Sequence, residues 1–258
     1  AEAWGYHVET VIGSVREASD FMGLPMEVDG EVVYSTLAWA RRLADAPTGL
    51  LFLDELTTAA PSVQRVMLRV LQERFVGDYR LPDSVAIVAA ANPPDVAVDG
   101  WDLAAPVANR LFHLDWHLDL DGWLAGVLTD FADFEAPGMD SLCGPGTDLD
   151  AARVRGAVTS FLRSRPDLVS NVPSDPAAAG KGWPSPRSWS NAMSILAHVD
   201  RDDEETALVV LTGCVGEGAA NEFAAWMLAN DLFDPDEVLR DPSIVAWSLG
   251  NEAGTGQN

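Results

Sequence analysis

Gly49-Leu50-Leu51-Phe52-Leu53-Asp54-Glu55 reads as a buried strand that ends on two adjacent carboxylates. Four consecutive apolar residues suit a strand covered on both faces, as in a parallel sheet flanked by helices. In open α/β sheets ligands sit beyond the carboxyl ends of the strands. Asp54 and Glu55 therefore fall where a phosphate-bound metal ion and an attacking water are needed. The plainer alternative is an acidic loop that opens the next helix.

Outward from this stretch the pattern continues. After Pro61, Val63, Val66, Met67, Val70 and Leu71 recur at i, i+3, i+4, i+7 and i+8, one apolar face of a helix with proline in its first turn. Gln64, Arg65, Arg69, Gln72 and Glu73 fall elsewhere on the wheel. A second apolar run, Val85 to Ala91, ends at Asn92-Pro93-Pro94 and brings an amide to the same sheet edge. Strand, helix, strand is the parallel βαβ unit. Leu103 to Leu111 reads as a short helical turn, followed through Asn109-Arg110-Leu111-Phe112 by a lone arginine among apolar neighbours. The alternative for Arg110 is a surface arginine whose stem packs on the sheet edge.

Four motifs, Gly49 to Leu56, Ala90 to Pro94, Ala108 to Phe112 and Ser185-Pro186-Arg187-Ser188-Trp189, resemble in order and spacing the Walker B, sensor 1, arginine-finger and sensor 2 motifs of AAA+ ATPases, most like the MoxR-type branch. The resemblance extends over roughly residues 1 to 240. It implies an α/β fold: a P-loop NTPase-type parallel sheet flanked by helices, incomplete at its N-terminus, followed by an all-helical lid. It also implies ATP and Mg²⁺ as cofactors.

The roles it implies have physical reasons. Asp54 is the Mg²⁺ ligand, since that ion takes hard oxygen donors and is shared with the β- and γ-phosphates. Glu55 is the base that orients and deprotonates the attacking water. Asn92 is the sensor that hydrogen-bonds the γ-phosphate or the water. Arg110 is the finger reaching a neighbouring subunit's nucleotide, a contribution on the order of 10³-fold or more in related systems. Arg187 is the lid arginine on the chain's own γ-phosphate, with Ser185-Pro186 as N-cap and first position of its helix. A surface charge at a helix terminus is the alternative for Arg187.

A phosphate loop of the form Gly-x-x-x-x-Gly-Lys-Ser/Thr is absent from the sequence. The single lysine, Lys181, has Asp175 in place of the first glycine and Gly182 in place of the hydroxyl residue; Gly144-Pro145-Gly146-Thr147 has no lysine. Ala1 to Trp4 resembles the last turn of a helix, and His7 to Ile12 a strand. In the family the phosphate loop lies just ahead of that helix, and the chain, which starts without methionine, is read as truncated after it.

Between the first strand and the Asp54 strand, Asp29-Gly30 sits between alternating apolar residues of Met26 to Tyr34, a strong hairpin signal. It resembles the helix-2 insert of this clade, which tends to face the ring's pore. Phe21 and Met22, or the Asp29-Gly30 tip, are then the expected client contacts; an ordinary hydrophobic turn packed on the domain is the alternative. Ser35 to Ala46 is the helix leading back into the sheet.

With 258 residues, the chain can bury a substantial core in one large or two modest domains. Its 40 acidic and 16 basic residues, net −24, oppose a sequence-independent grip on nucleic acid or an anionic membrane. Cys143, Cys214 and four scattered histidines form no metal-spaced cluster, which fits a reducing cytoplasm. No apolar run approaches bilayer length. The expected division is an α/β core over 1–118, a helical lid over 119–240 and a tail over 241–258. Lid helices are expected from Leu149 to Leu162, Arg187 to Val199, Glu204 to Cys214 and Glu217 to Asn230, with Pro166 to Pro186 as a loop.

Asp241 to Gly256 resembles the acid/base segment of family 2 glycoside hydrolases such as β-galactosidase, with Glu252 as the matching acid. A retaining glycosidase needs a second carboxylate about 5 Å away on a barrel of roughly 250 residues, so glycoside hydrolysis is not expected. Coincidence or a join between unrelated reading frames explains this tail, the join being preferred. The resemblance as a whole implies a chaperone-like, ATP-driven remodeller acting as a ring, expected as a hexamer, with a von Willebrand factor A domain partner. A non-hydrolytic scaffold of the same fold, contributing Arg110 in trans, is the other class.

Overall fold

The computed structural model describes residues 1–92, 100–131, 136–138, 146–229, 240, 241 and 243. Its centre is a three-stranded parallel sheet of β1 (His7–Ile12), β4 (Gly49–Asp54) and β7 (Val85–Ala89), with β4 in the middle. The register runs from His7 opposite Gly49 to Ile12 opposite Asp54, and from Gly49 opposite Val85 to Leu53 opposite Ala89. β4 buries Gly49, Leu51 and Leu53, while Leu50 and Phe52 are half-buried on the alternate positions. This accounts for the unbroken apolar run: both faces of the central strand are covered.

Two helices brace the sheet. α2 (Ala38–Asp45) buries Ala40 and Leu43, and a side chain at Gly49 would come within 3.1 Å of Leu43 and Val85. α3 (Pro61–Glu73) starts with its proline and buries Val63, Met67 and Val70, the expected face. It ends where Arg74 turns left-handed, at φ 61°, with its N–H returned to the Val70 carbonyl. The Arg74 guanidinium then donates to the carbonyls of Pro82 (2.7 Å) and Val85, which ties the end of α3 to the start of β7.

The hairpin of β2 (Pro25–Val28) and β3 (Glu31–Tyr34) turns through Asp29 and Gly30, both at positive φ, the geometry that such two-residue turns require. Apart from the half-buried Val33 its strand residues are exposed. Its base is clamped to the small hairpin of β5 (Phe75–Val76) and β6 (Tyr79–Arg80), where the Tyr34 N–H donates to Asp78 Oδ2 at 2.8 Å. α1 (Ser19–Met22) precedes it. Here one expectation is corrected: Phe21 is not a client-facing residue but a fully buried core side chain, set edge-on against Trp39 at 6.4 Å. A short amphipathic helix turns its largest apolar residue inward, and only Met22 is left at the surface.

α4 (Ala105–Ala108) is the helical turn expected before Arg110, and its Val107 and Ala108 belong to the sheet's core. His113 to Asp119 follows as extended chain without strand pairing, and Leu114, Trp116 and Leu118 are exposed. α5 (Leu120–Leu128) buries none of its residues.

The helical half is built from α6 (Asp148–Ser164), α7 (Pro176–Ala179), α8 (Pro186–Leu196), α9 (Glu204–Val215) and α10 (Glu217–Ala229). A second, separate apolar cluster holds them, centred on Phe161, Trp189 and Phe223, whose rings lie 5.2–5.9 Å apart. Cys214 lies in this cluster, and burial pushes its thiol up to about 11. Capping boxes at Thr147/Asp150 and Ser185/Ser188 start α6 and α8. The stretch Pro166 to Pro186 is not wholly loop. It holds a 3₁₀ turn (Pro166–Leu168) and α7, which Asp175 caps and Pro176 opens, a start signal obscured by the surrounding prolines. Pro93, Pro94 and nearly all of the 241–258 tail, Glu252 included, lie outside the described residues.

Phe21→Ala is expected to lower stability by about 3–5 kcal/mol, read as a reduced urea midpoint, because it empties a core site. Met22→Ala, at the surface, is expected to stay within about 0.5 kcal/mol.

Candidate nucleotide site

Because β1, β4 and β7 are parallel, their carboxyl ends meet at one edge, and each delivers a polar group there: Ser14 after β1, Asp54 and Glu55 at the end of β4, Asn92 beyond β7. The contacts are specific. The Glu55 N–H donates to Asp54 Oδ1 at 2.9 Å, and the Glu55 carboxylate accepts a hydrogen bond from the Ser14 hydroxyl. The Glu55 backbone lies in the left-handed region, at φ 55°. A non-glycine residue there carries strain that surrounding bonds must hold, a condition common at functional positions. Its carbonyl supplies that hold by accepting from the Thr58 hydroxyl at 3.0 Å and from the N–H groups of Thr58 and Ala59 at 3.2 Å.

Gly13 permits this approach. A Cβ there would lie 3.0 Å from the Ala59 Cβ and 3.2 Å from the Glu55 carbonyl, so a side chain would push the turn after β1 away from the end of β4. On the other flank, the Leu56 N–H donates to the Ala90 carbonyl at 3.0 Å and the Thr57 hydroxyl to the Asn92 carbonyl at 3.2 Å. Those bonds fix the backbone of Asn92 beside the acidic pair, and its residue is exposed.

Among the described residues no group of three or more His, Cys, Asp or Glu side chains is placed to cage a metal. The donor set nevertheless fits Mg²⁺. That ion is held by one or two carboxylates plus substrate phosphates rather than by an all-protein cage, and half-buried Asp54 supplies such a carboxylate.

Arg110 and Arg187 form the second part of the site. Arg110 follows α4 and donates to the Pro106 carbonyl; Arg187 lies in the first turn of α8 and is exposed. Burial holds the Arg110 guanidinium below its usual range, and the neighbouring charge of Arg187 adds to that effect. The two cations therefore lie within each other's field. Neither forms a salt bridge among the described residues, although the chain has 24 more acids than bases. Lys181 follows the four-residue α7 and lies near His113.

Of the five predicted residues, the fold gathers Asp54, Glu55 and Asn92 at the sheet edge and sets Arg110 beside Arg187 at the junction with the helical half. Sequence reading missed Ser14, Gly13 and Asn109. Gly13-Ser14 directly after the strand His7–Ile12 was an available signal for a tight polar turn. Its partner, Glu55, is too distant in the chain for any local pattern to show.

A parallel sheet with carboxylates and an amide on its strand ends, followed by a helical region, is the architecture of an AAA+ α/β domain with a helical lid. Residues 39–98, from α2 to beyond β7, match the family model of the Sigma-54 interaction domain, an AAA+ ATPase-family domain, and this supports an AAA+ ATPase. No curated protein matches the chain. Among the described residues no helix is long and apolar enough to cross a membrane.

His113, just past Arg110, has its pKa lowered mainly by burial, with Lys181 acting in the same direction; the Ala108 carbonyl, 2.8 Å away, and the Asp115 carboxylate oppose it. The fold thus favours the neutral ring, whereas the unfolded chain takes up its proton near pH ~6.5. Stability linked to His113 is present above that pH and is lost as pH falls toward the lower folded value. Glu9, Asp150, Asp167 and Asp203, whose pKa values are lowered by hydrogen bonds and neighbouring charge, stay ionised between pH 7 and pH 5. The urea midpoint is therefore expected to fall between pH 7 and pH 5, with a flatter profile in His113→Gln.

Proposed function

We propose that this chain is the nucleotide-hydrolysing part of an AAA+ ring subunit of the MoxR type, with residues 1–118 as its core and 119–240 as its lid. The observation that carries this reading is the strained, fully braced Glu55 beside Asp54 and Asn92. A positive-φ residue whose backbone is held by four hydrogen bonds, to Asp54 and from Thr58 and Ala59, and whose carboxylate is held by a fifth from Ser14, is costly without a task that needs an aimed base.

In this reading Asp54 would hold the Mg²⁺ that arrives with ATP, and that ion would supply charge neutralisation at the phosphates. Glu55 takes the proton of the attacking water, and its hydrogen bond from Ser14 sets the direction of the carboxylate. Asn92 orients the water or the γ-phosphate. Arg110 stabilises charge on the transferred group in a neighbouring subunit, which makes a ring, a hexamer in this branch, part of the mechanism. Arg187 was expected to serve the chain's own nucleotide. The hydrogen bond between Asn109 and Ser185, which sets the segments carrying Arg110 and Arg187 side by side, favours a different assignment, in which both guanidiniums address one phosphate group. The work is remodelling of a client protein in the cytoplasm, with a von Willebrand factor A domain protein as partner.

The rival reading is a non-hydrolytic AAA+ scaffold. Its support is the absence of a Gly-x-x-x-x-Gly-Lys-Ser/Thr sequence from these residues. Mg-ATP binding to this chain, measured beside a version extended upstream through a phosphate loop, separates the two. Binding by the extended protein that Asp54→Ala weakens at least tenfold supports the ATPase, and binding by neither protein supports the scaffold. In the extended protein Glu55→Gln is expected to lower ATP turnover 10²–10⁴-fold while ATP still binds.

A further inference from the structure

We infer that Asn109 is a positioning residue: it latches the sheet domain to the helical half and so holds Arg110 and Arg187 together as one unit. The functional side of this inference rests on the reading above, that these two arginines address a nucleotide phosphate.

Asn109 sits between Ala108, fully buried in the sheet's core, and Arg110. It is itself buried, and its side chain leaves its own domain. Its Nδ2 donates to the Trp183 carbonyl at 3.2 Å, and its Oδ1 accepts from the Ser185 hydroxyl at 2.7 Å. Ser185 caps α8 two residues before Arg187. Ser188, in the first turn of the same helix, donates its hydroxyl to the same Trp183 carbonyl at 2.8 Å and accepts the Ser185 N–H at 2.9 Å. Ser185 and Ser188 are both buried. Every polar group in this network depends on the others for a partner, and Asn109 is its only member from the sheet domain. A short segment thus carries one arginine on its surface and, through its buried neighbour, holds the helix start that carries the other.

Three further contacts join the chain around Asn109 to other parts of the helical half. The His113 N–H donates to the Gly213 carbonyl at 2.9 Å, and the Phe112 ring occupies the space that a side chain at 213 would take, 2.4 Å from its Cβ position. A Cβ at Gly180 would lie 3.2 Å from the Leu103 carbonyl. Leu103 to His113 is therefore seated in the sheet's core on one side and held along the helical half on the other. Only an amide meets both demands at position 109. An aspartate lacks the donor for Trp183, and alanine removes both bonds that cross from the sheet domain, leaving Ser185 and Trp183 only their partners within the helical half. The consequence for mechanism is that Arg187 travels with Arg110, so any motion that withdraws one from a phosphate withdraws both.

The test is the distance between spin labels at Ala104→Cys and Ser194→Cys, two exposed positions flanking the latch, measured by pulsed electron paramagnetic resonance on the full chain. Cys143 is replaced by serine; Cys214 stays, since a buried thiol at about 11 does not label. With Asn109 in place a single narrow distance distribution is expected. Asn109→Ala is expected at least to double its width, while near-ultraviolet circular dichroism shows that both aromatic cores persist. If Asn109→Ala does not fold, Ser185→Ala, which removes the hydroxyl and leaves the amide, is read in the same way. An unchanged narrow distribution in a folded variant overturns the inference, as does a broad distribution with Asn109 present. The measurement needs no nucleotide, so failure of ATP binding with the latch intact removes the functional reading alone.

Discussion

The parallel pairing of β1 with β4, closed by the contact of Gly13 and Ser14 with Glu55, is the constraint on which the rest of the structure depends. Pairing sets Ile12 beside Asp54, and the lack of a side chain at Gly13 lets the turn after β1 rest on the backbone of Glu55. The Ser14 hydroxyl can then reach the carboxylate. A wider turn would take the Ser14 hydroxyl away and leave the carboxylate free to aim elsewhere. The backbone of residue 55 is braced locally, by Asp54, Thr58 and Ala59, and only the bond to its carboxylate comes from a distant part of the chain.

Electrostatics act at two scales. The net charge of −24 opposes a sequence-independent grip on other polyanions. Within that field most arginines are used structurally: Arg42 bonds Glu9 on β1 at 2.8 Å, Arg74 bonds carbonyls at the start of β7, and Arg201 bonds Asp150 at the start of α6. Arg110 differs in that the charge of Arg187 acts on it, and neither forms a salt bridge among the described residues.

The two apolar clusters are separate, one around the sheet and one around Phe161, Trp189 and Phe223, so their relative placement cannot come from a shared core. It comes from polar contacts at the junction, with Asn109 at their centre. Hydrogen bonds are directional where apolar packing is not, and they fix an orientation that a greasy interface would leave free to slide.

Much of the fold was legible in the chain because it is written in local patterns. Four apolar residues before Asp54 suit a strand covered on both faces. The spacing of Val63, Met67 and Val70 behind Pro61 gives a helix with its start and its buried side, and Asp29-Gly30 gives a hairpin through its tolerance of positive φ. The candidate carboxylates, the amide and both arginines were visible for the same reason, since each stands at the end of an element whose type the pattern declares. What local patterns cannot carry is which distant residues meet. Whether Phe21 faced a client or the core depended on where Trp39 came to lie; the hand on Glu55 is a serine 41 residues earlier; and the partners of Asn109 are 74 and 76 residues away. Those pairings follow from sheet order and from the docking of one half on the other, and long-range packing, not chain periodicity, decides both.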